Sequence, residues 1–279
     1  MTAALLAPPP FPDPSAVIGS WSTSSVAVLS AAGVRRAIGE SSSVEPARCH
    51  VLLLPTAGRG THQVDFRPCR LEPGLALHVQ PGQAHRWDAA GRTRARVVLI
   101  HPDLCPPGLF SIADPQPEVP LGPAASVVAA VAADLDREQR ATNPDRAVMA
   151  TSAALLLQHV ARARTRGIGQ ASPSQLALLR SFRAELERSF TASRSVAEYA
   201  RRIGTSPKTL SRATGGLTGH SPKELIDRRV ILEARRLLAS STESASAIGA
   251  RLGFSEPTNF TKFFARHTGT SPQEFRAEI

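Results

Sequence analysis

The spacing of apolar residues changes character along the chain. From about Trp21 to Pro102 the apolar runs are short and β-like. They predict strands at Val26–Leu29, Val34–Ile38, Arg48–Leu54, Thr61–Phe66, Leu75–Gln80, His85–Asp88 and Arg94–His101, with Gly and Pro clusters between them. Short strands at short intervals are the pattern of a β-sandwich or barrel. From Pro123 to Arg166 the period becomes helical. Two helices are expected, at about 124–140 and 144–166, the second with Val148, Leu155, Leu156, His159 and Val160 as its apolar face. After a short Gly/Ser/Pro linker at 167–173, Ser172-Pro173-x-Gln175 reads as a helix start. A stripe of Leu176, Leu179, Phe182, Leu186 and Phe190 follows at helical spacing.

The remainder of the chain is a repeat. Ser195 with Glu198 reads as a capping box, and Val196, Tyr199, Ala200 and Ile203 form one apolar stripe. Gly204 suits a tight turn, and Ser206-Pro207 reads as the cap and first position of a second helix that turns Leu210 inward. About 49 residues later Ala245, Ile248, Gly249 and Leu252 take the places of the first stripe, Gly253 that of Gly204 and Ser255 that of Ser206. One extra residue follows, after which Phe260-Thr261-Lys262 matches Leu210-Ser211-Arg212. Both copies end in Ser-Pro-x-Glu, at Ser221 and Ser271. Between them a long helix carries Ile226, Val230, Ala234, Leu237 and Leu238 on one side, with Arg228, Arg229, Arg235 and Arg236 making the rest basic. Such a pair of units reads as two helix-turn-helix motifs on a shared helix. Gly215-Gly216 argues for an early end to the first unit's second helix, since each interior glycine costs about 1 kcal/mol.

This stretch resembles the DNA-binding domain of the AraC/XylS family of bacterial transcription regulators. The residues that carry the resemblance are Leu210-Ser-Arg212, Thr218-Gly-His-Ser-Pro222, Ala234-Arg-Arg-Leu-Leu238, Leu252-Gly-Phe-Ser255, Asn259-Phe-Thr-Lys-Phe-Phe264, Gly269-Thr-Ser-Pro272 and Phe275-Arg276. The resemblance implies that the first recognition helix presents Lys208, Thr209, Ser211 and Arg212 to double-stranded DNA, and the second Thr258, Asn259, Thr261 and Lys262. Arg and Lys suit guanine O6 and N7, and Asn suits adenine. Arg201 and Arg202 are the expected backbone contacts. RNA polymerase is a further partner implied by the resemblance, and the helices of 123–166 are expected to pair two subunits.

The segments Gly60–Phe66, Leu71–Gly74 and Pro81–Trp87 resemble the cupin-type sensor barrel that precedes such DNA-binding domains. Catalytic cupins hold a metal through converging histidines and a carboxylate. Here the first motif offers only His62, and His85 stands near the place of the late histidine, while His50, His78 and His101 do not complete a set. No cofactor, no metal and no enzymatic activity are therefore expected. A small organic effector is expected instead, with His50, His62, His85 and Trp87 as lining candidates.

Charge supports this division. Of a net charge of +10, the segment from Ser174 on carries +7, from 17 Lys+Arg against 10 Asp+Glu, together with all three lysines. A basic unit beside a nearly balanced one suits a polyanion partner. Three cysteines without metal-site spacing fit a reducing cytoplasm. No run of 18 apolar residues suggests a membrane span, and Met1 to Pro14 lacks the basic start of a signal peptide. The expectation is an α+β chain of several domains: a flexible arm at 1–20, a cupin-like sensor barrel at 21–122, a helical dimerisation segment at 123–166, the linker, and a DNA-binding domain at 174–279. Its expected role is that of an effector-responsive, homodimeric regulator, more an activator than a repressor. A cupin metalloenzyme tethered to DNA and a ligand-independent dimeric DNA-binding protein are the alternatives.

Overall fold

The computed structural model describes residues 26–38, 45–86, 93–106, 109–110, 116–166 and 172–278. The expected arm, residues 167–171 of the linker, and both Trp21 and Trp87 lie outside them. The N-terminal part contains two antiparallel sheets. The five-stranded sheet has the order β1 (Val26–Ser30), β8 (Arg94–Ile100), β3 (His50–Ala57), β6 (Leu75–Val79), β9 (Glu118–Pro120). The four-stranded sheet runs β2 (Glu45–Pro46), β7 (Ala84–Arg86), β4 (Gly60–Val64), β5 (Arg67–Leu71). Among the described residues the two sheets stay separate, so the expected closed barrel is replaced by an open pair. One physical reason is visible at the β1 edge. The Gln139 amide accepts from Val28 N at 2.6 Å and donates to Val28 O at 3.0 Å, which occupies the groups a further strand would need.

Alternation along the strands divides the core. Ala27, Leu29, Val51, Leu53, Leu77, Val79, Val97 and Leu99 pack with Val64, Cys69 and Leu71 of the four-stranded sheet. Val28, Leu52, Leu54, Ala76, Val98 and Ile100 point the other way. That second face is covered by α2 (Ala125–Gln139) through Val128, Ala132 and Leu135, and by α3 (Arg146–Arg166) through Met149, Ala153, Leu156, Leu157 and Val160. The five-stranded sheet is thus buried on both faces, which explains why its central strands read as nearly continuous apolar runs.

Two N-terminal expectations are corrected. Residues expected as the strand Val34–Ile38 lie instead in helix α1 (Ala31–Ile38). Ser30 Oγ accepts from Gly33 N at 2.9 Å, a helix-starting contact that the apolar pattern does not reveal. The apolar face expected on α3 splits. Leu156 and Val160 are buried, whereas Val148 and Leu155 stand 44% and 43% exposed on the side away from the sheet.

The C-terminal part is all helical: α4 (Pro173–Ser189), α5 (Val196–Arg202), α6 (Pro207–Thr218), α7 (Pro222–Ser240), α8 (Ala245–Arg251), α9 (Pro257–Thr268) and α10 (Pro272–Ala277). Capping serines start most of them. Reciprocal capping boxes form at Ser172, Ser221 and Ser271. At Ser195 only half of the expected box forms. Ser195 Oγ accepts from Glu198 N at 3.4 Å, but the Glu198 carboxylate accepts instead from Ser193 Oγ at 2.7 Å and from Arg202. Helix α7 is shared by two cores. Ile226 packs with Leu179, Phe182, Leu186, Tyr199, Ala200 and Leu210. Val230, Ile231, Ala234 and Leu238 pack with Ile248, Leu252, Phe260, Phe264 and Phe275.

The connecting helix α7 is less solvated than its composition suggests. Arg229 is buried, with Nε 3.0 Å from both Glu187 carboxylate oxygens, Nη1 2.9 Å from Glu233, and its guanidinium 3.9 Å from the Phe190 ring centre. Arg236 is buried as well, against Asp65 of the N-terminal part.

Candidate nucleic-acid interface

Each helix-turn-helix unit places one helix so that an apolar anchor points in and a polar face points out. In α6 the anchor Leu210 is fully buried, and Lys208, Thr209, Ser211 and Arg212 are exposed. In α9 the anchor Phe260 is fully buried, and Thr258, Asn259, Thr261 and Lys262 are exposed. All eight expected base-facing residues therefore lie on two equivalent free surfaces. The helices match in length, at 12 residues each, and both end in a left-handed glycine, Gly219 (φ 71°) and Gly269 (φ 84°). The early end expected at Gly215-Gly216 does not occur. Buried Ala213 and Thr214 hold this segment against the core, and Thr218 Oγ1 donates to Thr214 O at 2.7 Å. Tertiary packing outweighs the weak propensity of two glycines.

Two hydroxyls on these surfaces already have internal partners. Thr209 Oγ1 is 2.9 Å from Ser206 Oγ, and Thr261 Oγ1 donates to Pro257 O at 3.2 Å. The two starts also differ. Ser206 Oγ caps Thr209 N at 3.1 Å, whereas in the second unit the extra residue makes Glu256 the cap, with no side-chain hydrogen bond. Arg201 and Arg202 are not equivalent. Arg202 donates to Glu185 Oε1 at 3.1 Å, to Ser189 Oγ at 2.6 Å and to Glu198. Arg201 forms no ion pair among the described residues, which leaves it the freer of the two for a phosphate.

The units are tied together by Arg194. Its guanidinium lies 3.6 Å from the Phe254 ring centre, and Nη2 donates to Leu252 O at 2.7 Å. This residue holds the turn of the second unit from the chain that leads into the first. Nothing in its spacing pointed to that role.

The histidines expected to line one effector site fall in two compartments. His62 pairs across the ladder with Cys69, and His85 with Val64, both members of the core between the sheets. Their rings meet there, with His62 Nε2 3.3 Å from His85 Nδ1. His50 pairs with Ile100 and His78 with Leu52, members of the core on the opposite face. His50 Nδ1 is 3.0 Å from His78 Nε2, Arg164 Nη2 is 3.2 Å from His78 Nδ1, and Phe110 lies against both rings. Burial lowers the pKa of His50 to about 4 and of His85 to about 4. Burial, and then the neighbouring His85, lower that of His62 to about 3. His78 is held well below the usual value by burial, then by Arg164 and His50. All four are neutral near pH 7, so each ring has one donor and one acceptor nitrogen. Among the described residues no three His, Cys, Asp or Glu side chains are grouped to hold a metal ion. No described helix is long and apolar enough to cross a membrane.

A family model described as a helix-turn-helix domain matches residues 199–278, which span most of both units. The transcriptional activator RhaS of Escherichia fergusonii is 30% identical over 139 residues, 50% of this chain and 50% of its own length. Residues 199–278 form an AraC-type helix-turn-helix domain. The transcriptional regulator Rv1931c of Mycobacterium tuberculosis is 31% identical over 81 residues, 29% of this chain and 31% of its own length. The chain spans about half the length, or less, of these curated relatives. Among solved structures, ToxT from Vibrio cholerae covers 91% of this chain and 98% of its own, at 11% identity and a TM-score of 0.46. The DNA-binding domain of AdpA, solved with a target DNA, covers 36% of this chain and 90% of its own, at 31% identity and a TM-score of 0.34. The AraC-type domain of this chain thus holds every one of the expected DNA-facing residues, while the histidine pairs lie outside it.

Proposed function

We propose that the chain is a DNA-binding transcription regulator of the activator kind, acting as a homodimer whose N-terminal part senses a small organic effector. The observation that carries the DNA-binding reading is the pair of equal recognition helices, each anchored by one buried residue and each exposing four polar side chains. A major groove about 12 Å wide admits one such helix. Two of them on one connecting helix suit successive grooves about 34 Å apart. The named relatives RhaS and Rv1931c are regulators, and RhaS is an activator, which supports the same reading and gives none to an enzyme. Contact with RNA polymerase is part of the activator proposal. For the effector, the support is the buried neutral His62–His85 pair between the sheets, where polar groups sit in an otherwise apolar core.

The test is a binding matrix of variants against sequences at fixed salt, using the duplex recovered by selection from a random pool. Arg212→Ala and Lys262→Ala should each weaken the selected site by about 1–3 kcal/mol and relax preference at base pairs about one turn apart. Arg201→Ala should weaken all sequences alike and lower the salt slope by about one. Equal losses on selected and scrambled DNA for both Arg212→Ala and Lys262→Ala would defeat base reading through these residues. Effector binding is tested separately by a thermal-shift screen of metabolites, because a ligand of the native state alone raises stability.

A further inference from the structure

The tip of the β4–β5 hairpin breaks the local rules for its own turn. The two loop residues, Asp65 and Phe66, both have positive φ, 48° and 64°. A two-residue hairpin of this kind favours Asn-Gly or Asp-Gly, so Asp65 suits its place while the bulky Phe66 is strained in the left-handed region. The residues present fit what they touch instead. Arg236 of α7 donates through Nε to Asp65 Oδ1 at 2.9 Å and through Nη2 to Asp65 Oδ2 at 2.8 Å. The two side chains are only 8% and 12% exposed. Phe66 packs edge-on to Phe275 of α10, with ring centres 5.4 Å apart, and the Arg235 guanidinium lies 4.5 Å from its ring centre. A residue of the N-terminal part thus joins the core of the second helix-turn-helix unit.

The same carboxylate is held from the sensor side. Ala84 N donates to Asp65 Oδ1 at 3.0 Å, and Gln83 Nε2 donates to Oδ2 at 2.7 Å. Asp65 N donates to Ala84 O at 2.6 Å. Ala84 precedes His85, whose ring meets His62 between the sheets. Asp65 is therefore gripped by β7 on one side and by the connecting helix on the other. Its four donors come from two domains, and moving either one changes what the other holds.

We propose that the Asp65-Phe66 tip is a latch coupling the interior of the N-terminal sheets to α7 and the second helix-turn-helix unit. The proposal rests on the sensor reading of the N-terminal part, but its test requires no effector. The full-length chain is followed by hydrogen exchange in three forms: wild type, D65N/F66G and R236Q. The double variant installs the preferred Asn-Gly turn, so the hairpin keeps its fold while the latch is removed. D65N/F66G should speed exchange across 231–238 of α7, in the other domain. R236Q should speed exchange at Asp65 and Ala84, again in the other domain. Effects confined to the mutated domain would overturn the proposal. Affinity for the selected duplex is measured on the same proteins. A change of about fivefold or more with R236Q supports coupling, the usual lower range for linked sites. Unchanged affinity with R236Q and with D65N/F66G would reduce the latch to a structural brace and overturn the regulatory reading. A chain for which the thermal-shift screen finds no effector could still pass both exchange tests, so the two failures are distinct.

Discussion

Ala200 and Gly249 hold the same place in the two units, and the anchor of each unit decides which residue fits. Leu210 packs near Ala200 in the first core. In the second unit the anchor is the larger Phe260, and a Cβ added at Gly249 would lie 2.9 Å from its Cβ. Gly249→Ala should therefore destabilise the domain by about 1–3 kcal/mol, the usual cost of overpacking, read from the urea midpoint. An unchanged midpoint would mean that the Phe260 ring moves aside freely. Gly253→Ala should cost more in the same assay. Its Cβ would lie 2.0 Å from Thr191 O, and its φ of 79° disfavours any side chain. At this scale the anchors were legible because they recur at a fixed spacing. Arg229 and Arg236 were not. A run of arginines reads as a solvated face, and their carboxylate partners, Glu187 and Asp65, lie 42 and 171 residues away in sequence.

Among elements, every C-terminal helix was legible, since capping serines and apolar stripes are local signals. Strand β5 was missed because the Asp65-Phe66 turn before it lacks the glycine that marks such a hairpin, and because only Cys69 and Leu71 of its five residues are buried. Strands β2 and β9 are too short to leave a pattern, at two and three residues. The outward residues of α3 carry the proposed dimer contact, since the inward ones are already committed to the sheet. Light scattering of the wild type should give twice 29.6 kDa. Val148→Asp with Leu155→Asp should shift it toward one chain while circular dichroism stays the same, because both positions are exposed. A wild-type monomer at micromolar concentration would remove the dimer from the proposal, and a double variant that stays dimeric would move the contact elsewhere.

At the scale of the whole molecule, the buried histidines set a direction for pH dependence. The folded pKa values of His50, His62 and His85, about 4, 3 and 4, lie below the value of about 6.5 for an unfolded chain. Between those values the unfolded chain binds more protons, so stability is full above about pH 6.5 and falls as the pH drops toward 4. The urea midpoint of the N-terminal transition should fall over that window, and fall less steeply in His62→Gln, where His50 and His85 still titrate. A midpoint independent of pH would contradict the buried, neutral pairs. The basic character of the C-terminal part was legible from composition, but the division of the histidines was not. Their facing depends on register, and a one-residue slip turns a side chain to the other face. The docking of Phe66 has a practical consequence for anyone who isolates the AraC-type domain. A fragment beginning at Ser172 would lack Phe66 and Asp65, leaving the Phe275 edge and the Arg235 stem facing water. Arg236 would keep only Glu233, 3.9 Å away. Such a fragment should be less soluble than the full chain, and a substitution such as Phe275→Tyr, which places a hydroxyl at the vacated seat, is the natural first remedy in its preparation.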